Sequence, residues 1–84
     1  MPQEFKEGQV WAHRYGGIPE MNAHFLVENI DGVLTLRSAY NIIKCSEVEL
    51  PSPILFFCGE YDEIYFEPKF IKEFKEAGKT WIKH

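Results

Sequence analysis

The stretch AHFLVENIDGVLTLR, running from Ala23 to Arg37, decides the fold. Two runs that alternate apolar and polar residues flank the pair Asp31-Gly32, which readily takes the positive φ angles of a type I′ turn. The twist of such a turn matches that of paired strands, so the stretch reads as a β-hairpin with a two-residue loop. That loop fixes the register: Ile30 faces Val33, Asn29 faces Leu34, Glu28 faces Thr35, Val27 faces Leu36 and Leu26 faces Arg37. Phe25, Val27, Leu34 and Leu36 then form the core face. Glu28 and Arg37 become diagonal neighbours on the opposite face, expected to be a solvated pair contributing only a few tenths of a kcal/mol.

Working outward, Gly8 to Tyr15 alternates Val10, Ala12 and Arg14 against Gln9, Trp11, His13 and Tyr15, the pattern of a first strand. Gly16-Gly17-Ile18-Pro19 breaks it. After the hairpin, Asn41 to Ser46 offers a short strand, and two prolines in Leu50-Pro51-Ser52-Pro53 interrupt again because neither can donate to a ladder. Ile54 to Cys58 is a continuous apolar run suited to a buried strand, with Gly59-Glu60 turning it back into Glu63 to Phe66.

A helix follows. Pro68 fits its first position and Gly78 the residue just past its end, while Phe70, Ile71, Phe74 and Ala77 repeat at helical spacing. Thr80 to Lys83 has the composition of a closing strand. The pattern predicts a single domain spanning residues 1–84, mainly β with one C-terminal helix, built as a small antiparallel sheet or an SH3-like, partly open barrel.

At 84 residues the chain buries about 60 to 65% of its unfolded surface, so its stability is expected to be modest. Seven Phe, four Tyr and two Trp supply large apolar area per residue and argue against disorder. The longest apolar run is far short of the roughly 20 residues that span a bilayer, and Met1 to Gly8 is polar with no apolar signal region. No membrane association is therefore expected, and a cytoplasmic location follows. Cys45 and Cys58 read most simply as reduced thiols packed as small hydrophobes, with a disulfide between them left open as an alternative that nothing in the sequence supports. With His13, His24 and His84 they form none of the paired spacings of a zinc site, so neither a metal nor another cofactor is expected.

Chemistry has little to build on. Glu60, Asp62 and Glu63 are close enough to suggest an acid and base, yet nothing nearby would separate their pKa values. His13 or His24 with Cys45 or Cys58 lies in no nucleophile motif, and Gly16-Gly17 lacks the Lys and Ser/Thr of a phosphate loop. The expectation is a protein without catalytic residues.

Charge is more telling. Glu47 to Glu67 holds six acidic residues and no basic one, whereas Lys69, Lys72, Lys75, Lys79 and Lys83 dominate the tail. Tyrosines among carboxylates combine a rigid apolar body with polar edges, a composition suited to an interface facing a basic surface. Glu60, Tyr61, Asp62, Glu63 and Tyr65 are accordingly the candidate partner-binding residues. If Tyr61 and Tyr65 turned inward, Glu60, Asp62 and Phe66 would form the exposed row instead. Nucleic acid is a less favoured partner, because a net charge of −4 opposes phosphate contacts.

Gly8-Gln9-Val10-Trp11, followed by Phe25-Leu26-Val27 and Asp31-Gly32-Val33-Leu34-Thr35-Leu36-Arg37, resembles the first strands of SH3-like barrels of the Tudor and KOW kind. The Gly-x-x-Trp opening is also similar to that of very small uncharacterised phage-encoded proteins. The resemblance covers the first half of the chain. It implies a small barrel and a binding or inhibitory module of phage or mobile-element origin, with a nucleic-acid-associated module as the alternative, and it assigns no functional residue.

Overall fold

A computed structural model of the chain describes residues 4–14, 24–38 and 42–81, with the side chains of 70 and 77–81 excepted. Five strands form one antiparallel sheet: β1 (Gln9–His13), β2 (His24–Ile30), β3 (Val33–Arg37), β4 (Ile42–Lys44) and β5 (Leu55–Glu60). Their order is β4-β3-β2-β1-β5, so the first four run as a meander and the fifth returns to the free side of β1. Short 3-10 turns at Cys45–Glu47 and Tyr61–Glu63 follow β4 and β5, and helix α1 spans Pro68–Trp81. The architecture is mainly β with one C-terminal helix.

The β2–β3 hairpin has the register that its turn dictates, from Ile30 opposite Val33 to Leu26 opposite Arg37. Asp31 (φ 52°) and Gly32 (φ 84°) both take positive φ. Asn29 secures the loop by accepting a hydrogen bond from the Gly32 amide at 2.8 Å.

One face of the sheet carries Phe5, Trp11, Phe25, Val27, Leu36 and Leu55, packed with Leu34, Ile43, Cys45, Val48, Leu50 and Phe57. Trp11 is its keystone. Its ring meets Phe5 edge-on at 5.0 Å and Phe57 at 5.5 Å, and its indole N–H donates to Gln9 Oε1 at 3.1 Å. The same oxygen accepts the Lys6 amide at 2.8 Å, so the buried Gln9 side chain ties the N-terminal segment to the core.

The second face is also covered, which corrects the expectation that it is solvated. On it Phe74 of α1 is buried against Leu26, Phe66 and Ile71. Val10 and Ala12, paired with Leu26 and His24, are buried as well. Arg37 is only 7% exposed and Thr35 5%. The reason lies in β1 and β2, which place apolar residues on both faces: a sheet with two apolar faces needs two covers. The N-terminal and 45–50 segments supply one, and α1 supplies the other.

Three further expectations change. The chain from Glu63 to Phe66 is no strand: after the Tyr61–Glu63 turn, where the Ile64 amide reaches Tyr61 O at 3.3 Å, it runs irregularly to the helix. Adjacent carboxylates at 62 and 63 deny it a period-2 face. Helix α1 does not stop at Gly78 but continues to Trp81, absorbing Thr80 and Trp81 of the expected closing strand. Interior glycine costs a helix about 1 kcal/mol relative to alanine, a handicap rather than a stop. The outer strands also shift, β4 covering Ile42–Lys44 and β5 beginning at Leu55 and extending to Glu60 as a half-buried edge strand. Tyr15, the Gly16 to Pro19 break, Asn41, residues 82–84 and the side chains of Phe70 and Ala77 lie outside what is described.

Candidate functional site

Strand β5 pairs with β1 through an irregular register: Val10 lies opposite Gly59 and Trp11 opposite Phe57, leaving Cys58 as the extra residue of a bulge. Gly59 takes φ 137°, a conformation closed to most other residues, and a Cβ there would lie in ordinary contact with the Ile64 side chain at 3.5 Å. The bulge turns the chain away from the sheet just ahead of the acidic-aromatic segment. Gly8 receives that turn, donating its amide to Val27 O at 2.9 Å and accepting the Tyr61 amide at 2.8 Å.

These contacts bring Glu60, Tyr61 and Asp62 together with Glu7, Gly8, Leu26, Val27 and Glu28 around an open depression of about 340 Å³. Three of the five residues expected to bind a partner thus share one concave site. Glu63 and Tyr65 do not line it. Asp62 and Glu63 are exposed, and Tyr65 projects from the irregular segment with 79% of its surface exposed. Tyr61 is half-buried and stacks on Phe66 with ring centroids 5.6 Å apart and planes at 28°. Phe66 in turn meets His24 edge-on at 5.6 Å. The two tyrosines therefore part company, Tyr65 facing outward and Tyr61 held as a wall.

Two carboxylates of this site escaped sequence reasoning. Glu7 and Glu28 come from a turn and a strand far from Glu60 in sequence, and only the β1–β5 pairing brings them within reach. Glu28 is already engaged: Arg37 donates Nη2 to its Oε1 at 2.7 Å and Nε to its Oε2 at 3.0 Å. Glu7, Glu60 and Asp62 have no ion-pair partner among the described residues.

Elsewhere the chemistry is quiet. Cys45 and Cys58 are free thiols. Burial pushes both up from the ordinary thiol range, at Cys45 against the opposing effect of a backbone hydrogen bond, which keeps the nucleophilic thiolate scarce. Among the described residues no group of three or more His, Cys, Asp or Glu is placed to hold a metal ion, and no helix is long and apolar enough to cross a membrane.

No protein-family model, no curated protein and no solved structure matches the chain.

Proposed function

We propose that this protein is a small, non-catalytic intracellular binding or inhibitory module that engages a basic protein through the surface built by Glu60, Tyr61, Asp62, Glu63 and Tyr65. One observation carries the reading: Tyr65 is a large aromatic side chain, 79% exposed, set among carboxylates rather than packed into either core. An exposed tyrosine ringed by acid gives an interface an apolar anchor and a sign of charge at once. The order β4-β3-β2-β1-β5, whose last strand returns to its first, is compatible with the likeness to small SH3-like barrels, and the proposed origin in a phage or other mobile element rests on the Gly-x-x-Trp opening alone.

The test uses the immobilised chain and a cell lysate, with retained proteins identified by mass spectrometry. Wild type should retain basic proteins in a salt-sensitive manner, and the double variant Asp62→Lys/Glu63→Lys should lose them. Both should melt at nearly the same temperature, because both side chains are exposed. The exposed lysines Lys69, Lys72 and Lys75 of α1 favour a second reading, association with nucleic acid. Salt-sensitive retention of nucleic acid, with no protein captured, would put that reading first.

A further inference from the structure

The geometry points to the depression over Gly8 as a receptor for one arginine side chain of the basic partner, an assignment that rests on the proposed protein-binding surface. Gly8 lines the depression. It lies between β2 and the start of the Tyr61 turn, and a Cβ built on it would meet a single neighbour, Glu60 Oε2, at 3.6 Å. At φ 92° the position favours glycine, and the space over it is open but for that carboxylate.

What surrounds the opening selects its occupant. Leu26 contributes an apolar floor beside the Val27 backbone, Tyr61 an aromatic wall already fixed against Phe66, and Glu7, Glu60 and Asp62 carboxylates with no ion-pair partner among the described residues. A long aliphatic stem ending in a cation complements that sequence of surfaces, from floor to rim. The molecule contains its own precedent. Arg37 lies on the same side of the sheet with its guanidinium between the Glu28 carboxylate and the Phe74 ring, the ring centroid 3.9 Å from Cζ. Glu60 and Asp62 beside Tyr61 repeat that pairing of carboxylate with aromatic, this time around an empty space. A planar guanidinium can stack and donate two parallel hydrogen bonds at once, which favours arginine over the compact ammonium of lysine.

The probe is the tripeptide N-acetyl-Gly-Arg-Gly-amide, titrated into the full-length protein while amide resonances are followed by NMR at low salt. The amides of Gly8, Glu60, Tyr61 and Asp62 should shift together. The citrulline analogue, equal in shape but uncharged, should leave them in place, and the lysine analogue should bind more weakly. Glu60→Gln with Asp62→Asn should weaken the arginine peptide by about fivefold or more, with the remaining spectrum confirming an intact fold. Glu49→Gln, an exposed carboxylate outside both the depression and the proposed surface, should leave it unchanged. Equal shifts with citrulline, tighter binding of lysine, shifts confined to Tyr65, or none at all would each overturn the assignment. Should basic proteins still be retained by wild type and lost in Asp62→Lys/Glu63→Lys, the wider surface would survive that failure. Arginine binding at Gly8 without any such retention would uphold the receptor and remove the surface.

Discussion

Arg37 grips Phe74 twice: its guanidinium lies 3.9 Å from the centre of the phenyl ring, and its Nη1 donates to the Phe74 carbonyl at 3.1 Å. The remaining donors hold Glu28 in a two-point contact. One side chain therefore joins the hairpin to the helix, and the pair that the hairpin pattern places in solvent is a joint. With the Arg37 side chain 8% exposed and that of Glu28 26%, the guanidinium is the desolvated member and the carboxylate is only partly so.

Replacing Arg37 by Met keeps the stem and removes every donor. Stability should fall by about 2 to 4 kcal/mol in urea titrations, below the upper range for buried pairs because Glu28 retains some water. Hydrogen exchange should show α1 loosening more than β2 and β3. Uniform loss across the sheet and helix would contradict a joint located at Arg37.

Thr35 and Leu36 separate the two faces. Leu36→Ala, on the Trp11 side, should cost about 2 to 5 kcal/mol by leaving a cavity. Thr35→Ala should cost about 1 kcal/mol, since the buried Thr35 Oγ1 donates to Glu28 O at 3.1 Å. Thermal melts that left Thr35→Ala indistinguishable from wild type would mean that this hydrogen bond adds nothing to stability.

Gln9→Leu should destabilise by about 1 to 3 kcal/mol even though it makes the core more apolar, because the indole N–H of Trp11 loses its acceptor in a buried site. Tryptophan emission should change in the folded state. Gln9→Glu, which keeps an acceptor, should do less harm at acidic pH, where the carboxyl is neutral, than at neutral pH.

The cysteines give a pH signature. Burial raises both thiol pKa values above their ordinary range, so the folded state holds these protons more tightly than the unfolded chain. Their contribution is fully present below the unfolded thiol pKa and is lost as pH climbs through the folded values. Stability should thus decline at alkaline pH, and less so in the Cys45→Ala/Cys58→Ala variant. Alkylation by iodoacetamide at pH 8 should be slower in the native protein than in urea. Equal rates would show the thiols to be freely accessible.

Local signals in the sequence carried far. Asp31-Gly32 specified its own turn and the register of β2 and β3, because a two-residue loop leaves no freedom in pairing. Pro68 marked the helix start, since its ring suits the first turn. What could not be read was non-local. Nothing near Arg37 announces that Phe74 will cover it, and an alternating pattern looks the same whether its polar face meets water or a helix. Glu7 and Glu28 join Glu60 only through a strand pairing set by the entire sheet. The acidic-aromatic segment was recognised by composition, but its split into an exposed Tyr65 and a stacked Tyr61 depends on the turn at Tyr61–Glu63.

The return of β5 to β1 has a consequence for synthesis on the ribosome. Gln9 finds its partner Glu60 only after about fifty further residues have been made, several seconds of elongation at roughly 5 to 20 residues per second. Throughout that interval Val10, Trp11 and Ala12 border an unsatisfied strand edge that can be paired by any other nascent chain. The β2–β3 hairpin, complete by Arg37, can shelter one side of β1 early, but the other stays open until Leu55 to Glu60 emerge. Chains interrupted before residue 60 are thus the ones that keep this edge exposed, and the yield of native protein should depend on how quickly the codons between Arg37 and Glu60 are read.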